Sequence, residues 1–126
     1  MEESKVTTRV LGQNAEDRAL ALLASRGLRL VERNFSVARG PRARGGEIDL
    51  VMLERDGTLV FVEVRSRSGR GHGGAAASVS PAKQRACVFA AQHFLQRYAS
   101  PPPCRFDVVA VDGDRIEWLR AAFDAS

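Results

Sequence analysis

Apolar positions recur along this chain in two periods, and the switches between them divide it into elements. A helical stripe of Ala15, Ala19, Leu22 and Leu23 predicts a helix that begins at Gly12 or Asn14 and ends at Gly27. Residues 28–35 alternate and read as a strand. Two runs rich in Val, Leu, Ile and Phe, 47–54 and 58–66, flank the turn Arg55-Asp56-Gly57 and predict an antiparallel hairpin. Ser80-Pro81 supplies an N-cap and a first helical residue for a second helix. Its stripe is Cys87, Ala91, Phe94, Leu95 and Tyr98, and the run Ser100-Pro101-Pro102-Pro103 stops it. Residues 105–112 and 115–119 read as strands about Asp112-Gly113-Asp114, with Ala121-Ala122-Phe123 a short apolar tail. The order is helix, three strands, helix, two strands: an α/β domain around a mixed sheet, spanning 1–126, with 1–8 flexible.

The hairpin pattern carries the chemistry. A three-residue loop pairs Glu54 with Thr58, and that register carries on to Asp49 opposite Glu63 and Glu47 opposite Arg65. The even positions Ile48, Leu50, Met52, Val60, Val62 and Val64 are all apolar, so one face is core. The odd face is apolar near the turn and charged at the open end. Opposed side chains have Cβ atoms about 5 Å apart. Two carboxylates at that spacing repel by roughly 3 kcal/mol at an effective dielectric of about 20. A hard divalent cation with oxygen ligands, or a shared proton, relieves that repulsion. A solvated sheet end would account for Glu47 and Arg65 as a salt bridge but leaves the facing acids unexplained.

Composition changes this picture only in part. With 126 residues the chain is long enough to bury a core. No apolar run reaches membrane-spanning length and the start lacks a signal-peptide core, so a cytoplasmic protein is expected. Cys87 and Cys104 read as small core hydrophobes in a reducing compartment. Tyr98 and Trp118 read as packing residues and His93 as structural or solvated. The aromatic content of 6% argues against a platform for stacking single strands.

The net charge of +4 favours a polyanionic partner. Arg39, Arg42 and Arg44 precede the first hairpin strand, and Arg67, Arg70 and His72 follow the second. Both loops fall at the open end beside Asp49 and Glu63, where arginines suit a phosphodiester backbone.

Ala15-Glu16, Arg33-Asn34, Gly46-Glu47-Ile48-Asp49-Leu50, Phe61-Val62-Glu63-Val64-Arg65-x-Arg67, Lys83 and Arg105-Phe106-Asp107 together resemble the bacterial YraN family. The chain is also similar to the restriction-endonuclease-like superfamily, whose signature is PD-(D/E)xK. That resemblance implies a restriction-endonuclease-like mixed sheet and a Mg²⁺- or Mn²⁺-dependent endonuclease acting on branched or otherwise structured DNA. It implies that Asp49, Glu63 and the main-chain carbonyl of Val64 hold the metal, and that Glu16 matches the N-terminal acid of junction-resolving members. Arg42, Arg44, Arg67, Arg70 and Lys83 would contact DNA, and cutting both strands of a symmetric junction would need a homodimer. Ile48 and Arg65 stand where the signature has proline and lysine. A guanidinium stays charged and is a poor base, so the competing expectation is a nucleic-acid-binding module that kept the fold without turnover.

Overall fold

The computed structural model describes residues 8–41, 45–67 and 79–125, with the backbone alone for 8–13 and for Arg67. The elements follow the expected order: α1 (Thr8–Ser25), β1 (Arg29–Val37), β2 (Gly46–Leu53), β3 (Leu59–Arg67), α2 (Pro81–Leu95), β4 (Cys104–Asp112) and β5 (Arg115–Phe123). The five strands form one sheet in sequential order. The β3–β4 pair is parallel and the other three are antiparallel. A parallel pair needs a crossover, and α2 lies within it.

Each helix covers one face. Ala15, Ala19 and Leu23 of α1 pack with Leu50, Met52, Val60, Val62, Val109 and Val111. Cys87, Ala90, Ala91 and Phe94 of α2 pack on the other side with Ile48, Val51, Leu59, Phe61 and Phe106. Strands buried on both faces need apolar residues at odd and even positions alike, which explains the run of Val, Leu and Phe in β2 and β3. Tyr98 joins the second cluster, as its place in the stripe implied, although α2 ends at Leu95.

The helix ends obey local chemistry. The Ser80 hydroxyl accepts the Lys83 amide at 3.1 Å, with Pro81 in the first turn. At the end of α1, Leu28 N–H bonds back to the Leu23 carbonyl and Gly27 N–H to that of Ala24. The helix starts at Thr8, earlier than Gly12 or Asn14. Neither is a strong helix former, yet each costs only about 1 kcal/mol or less within a helix.

Three strand expectations need correction. The tail 121–123 is the end of β5, where Phe123 stacks on Phe106 at 5.1 Å between ring centroids. Cys104 opens β4 as expected but is exposed, whereas Cys87 is buried. The even-position face is not continuous: Ile48 packs on the α2 side while Leu50 and Met52 pack on the α1 side. The alternation therefore breaks at Asp49.

Candidate functional site

The site is built where two strands part. Gly57 takes φ 95° at the end of the Arg55–Gly57 loop, and its N–H bonds to the Glu54 carbonyl at 3.0 Å. This turn sets the expected register, with Leu53 opposite Leu59, Met52 opposite Val60, Val51 opposite Phe61 and Leu50 opposite Val62. There the ladder stops. β2 continues beside β1 to Val37–Gly46, and β3 continues beside β4 to Arg67–Asp112. The expected Glu47–Arg65 and Asp49–Glu63 positions thus lie beyond the last paired residues, so Glu47 and Arg65 form no rung.

Asp49 fills the first gap. Its carboxylate accepts the Val64 amide at 2.8 Å, replacing a strand partner that β2 no longer offers. In an extended residue N–H and C=O project toward the same strand edge, so the Val64 carbonyl belongs to the same gap. Gly46 lets α2 come close to this opening. A Cβ there would run into the Ala86 carbonyl oxygen and lie 2.9 Å from the Ala90 nitrogen.

The two acids share a negative site with little solvent. Glu63 is only 4% exposed, and Lys83 Nζ of α2 reaches to 3.2 Å from its Oε2. Burial, then the charge of Glu63, pushes Asp49 up to about 7, against lowering by the Val64 amide and Lys83. Glu63 is raised as well, chiefly by burial, with Lys83 opposing. Burial pulls Lys83 down, yet its contact with Glu63 leaves it raised overall. Cys87, beneath the pair, is pushed up to about 12 by burial and by the charges of Glu63 and Asp49, so its thiol is inert at neutral pH.

Glu16 approaches from the other face. Its charge contributes to raising Asp49, while its own carboxylate lies 3.3 Å from Arg33 Nη2. Arg33 also pairs with Asp17 at 3.0 Å. Glu16 is thus neither a freely solvated helix residue nor a lone acid; its side chain is 15% exposed and tied to β1. Arg65 is half-buried, and its charge lowers Glu63. Its Nε is buried, with no hydrogen-bond partner among the described residues.

Asp49, Glu63, Val64, Arg65, Lys83 and Glu16 thus converge on one opening. Arg42, Arg44, Arg70, His72 and the Arg67 side chain lie outside the described residues. Of the anticipated basic loop, Arg39 is described, with its guanidinium carbon 4.4 Å from the Phe89 ring centroid. Among the described residues no group of three or more His, Cys, Asp or Glu side chains is arranged to hold a metal. The donor set at this opening is different in kind, two carboxylates and a main-chain carbonyl, all hard oxygens suited to Mg²⁺ or Mn²⁺.

Two partnerships escaped the sequence reading. The Arg33–Glu16 pair joins β1 to α1 with no local spacing to betray it. Asp107, fully buried, accepts from Arg105 Nε at 3.0 and 3.2 Å, Trp118 Nε1 at 2.9 Å and the Ala121 amide at 2.9 Å. It fills a register shift between β4 and β5, where Ala121 takes φ 50°. Its role is structural.

Among the described residues no helix is long and apolar enough to cross a membrane. The sequence matches the model of the uncharacterised protein family UPF0102 over residues 15–111, a stretch that includes all six converging residues. A UPF0102 protein of Methylibium petroleiphilum is 69% identical over 121 residues, covering 96% of this chain and 99% of the relative. Another from Cupriavidus taiwanensis is 64% identical over 114 residues, covering 90% and 82%. A third, from an Acidovorax species, is 62% identical over 120 residues, covering 95% and 89%. The chain belongs to the uncharacterised protein family UPF0102, the group that its motifs resembled under the name YraN.

Proposed function

We propose that this chain is a metal-dependent endonuclease of the restriction-endonuclease-like PD-(D/E)xK class, acting on structured or branched DNA. The observation that carries this reading is the pair of the half-buried Asp49 and the buried Glu63 where β2 and β3 part, with Asp49 pushed up to about 7. Lys83 and Arg65 offset the two acids only in part, and a divalent cation would complete the neutralisation. Asp49, Glu63 and the Val64 carbonyl would hold Mg²⁺ or Mn²⁺. Such an ion supplies an activated water and charge stabilisation at phosphorus. Glu16 shapes the field on the α1 side, Arg65 offers a permanent positive charge to a phosphate, and Lys83 holds Glu63 in place.

The test has two arms. Mg²⁺ or Mn²⁺ should raise the melting temperature of the wild type but not of Asp49→Asn, and wild type should cut a four-way junction in preference to linear duplex. No metal-dependent shift in a folded wild type would sink the carboxylate site.

Arg65 favours a second reading, a nucleic-acid-binding module without turnover. Its guanidinium stays protonated where the signature places a lysine. Metal and DNA binding without cleavage of any branched substrate would select that reading.

A further inference from the structure

Two open cavities of about 750 and 520 Å³ flank α2 and share Arg39, Gly45 and Ala86, so they form one groove. One end is bounded by Glu47 and Lys83, the residue paired to Glu63. The other reaches Phe89 and Gln92. Lys83 and Phe89 are six residues apart on one helix, about 9 Å along its axis. The groove therefore runs from the lysine that pairs with Glu63 to an aromatic ring.

The lining has a mixed character. Arg39, Lys83 and Arg85 bring three cations, against Glu47 and Asp124. Arg39 rests over the half-buried Phe89, and the His93 ring lies 4.6 Å from Phe89 along the helix. His93 Nδ1 also contacts the Phe89 carbonyl oxygen at 3.2 Å, which ties the two side chains to the same turn. A groove that serves only phosphates needs cations and no ring in its lining. A groove for an apolar peptide has no use for two arginines at its mouth. Cations beside a ring that one of them already stacks on suit a nucleotide, whose phosphate and base need one group each.

We infer that this groove receives an unpaired nucleotide flanking the processed phosphate, with its base stacked on the Arg39–Phe89 pair and its backbone held by Arg85 and Lys83. The inference rests on the nucleic-acid reading and deepens it. It names single-stranded character next to a duplex as the structure the site selects. One stacking pair serves one base, which is compatible with so few aromatics in the chain.

The experiment uses the full chain with two DNA probes in EDTA, so that neither is cut. One is a blunt duplex; the other is the same duplex with a short single-stranded end carrying 2-aminopurine. Binding by wild type should quench the 2-aminopurine. Phe89→Leu, which keeps an apolar side chain and removes the ring, should lower affinity for the tailed probe roughly 5- to 100-fold and remove the quench. Arg39→Ala should remove the quench as well, Phe89→Tyr should behave as wild type, and neither Phe89 variant should change blunt-duplex affinity. Equal affinity and quenching in Phe89→Leu and Arg39→Ala would overturn the stacking site while leaving the carboxylate reading intact. Failure of wild type to bind the tailed probe more tightly than the blunt one would also overturn the stacking site, while the carboxylate reading stands or falls on the metal-dependent melting shift.

Discussion

Lys83 Nζ lies 3.2 Å from Glu63 Oε2, so the first turn of α2 supplies the counter-charge for an acid in the middle of the sheet. The Lys83 side chain is 44% exposed while that of Glu63 is almost wholly buried. One end of this pair is therefore screened by water, and the other depends on its partner.

Removing that partner should be felt in a pH-dependent way. Lys83→Met should lower stability by about 1–2 kcal/mol at pH 8, an amount reduced from that of a fully buried pair because Lys83 reaches solvent. The loss should shrink at pH 5, where the acids can take up protons. Urea denaturation at both pH values is the check; a solvated helix-end lysine would cost less than about 0.5 kcal/mol at either.

The carboxylate pair should also leave its own mark on pH dependence. Asp49 titrates at about 7 in the folded chain against 3.8 ordinarily, so between these values the folded state holds a proton that the unfolded state has released. Stability should therefore fall as pH rises from about 4 to about 7; this group adds no slope on either side, its penalty being absent below that window and full above it. Glu63, raised in the same direction, adds to the slope. Asp49→Asn should flatten the curve, and saturating Mg²⁺ should restore stability above pH 7, where both acids are charged. An unchanged slope in Asp49→Asn would remove Asp49 as its source.

Asp107 provides a structural contrast. It satisfies Arg105, Trp118 and the Ala121 amide from a fully buried position. Asp107→Ala should cost about 1–3 kcal/mol, because the Trp118 and Ala121 donors lose their acceptor while Arg105 keeps Glu54 at 2.7 Å. Asp107→Asn should cost less. The metal response of Asp107→Asn should match wild type in a thermal melt.

Arg65 decides between the two functional readings. Its buried Nε has no partner among the described residues, and its charge lowers Glu63, so it belongs to the site's field. Arg65→Lys should keep or raise metal-dependent cleavage of a four-way junction. Arg65→Ala should lower cleavage while the metal-induced melting shift persists. Loss of that shift in Arg65→Ala would mean that Arg65 organises the carboxylates and does more than contact phosphate.

Local chemistry in the sequence determined the elements and one register. Ser80-Pro81 starts α2 because a hydroxyl and a ring satisfy the first turn, and Arg55-Asp56-Gly57 aligns Leu53 with Leu59 because the loop length leaves one pairing. Tertiary structure decided what happens past Leu50–Val62. There β1 and β4 draw β2 and β3 apart, Asp49 turns to the Val64 amide, and Ile48 changes face to meet α2. It also decided that Lys83 meets Glu63 and that Arg33 meets Glu16, contacts between residues 20 and 17 positions apart in the chain. A pattern of apolar positions records which face is buried, because burial acts on each residue separately. Which charge neutralises which acid depends on how two helices dock on opposite faces of one sheet, and no local spacing encodes that.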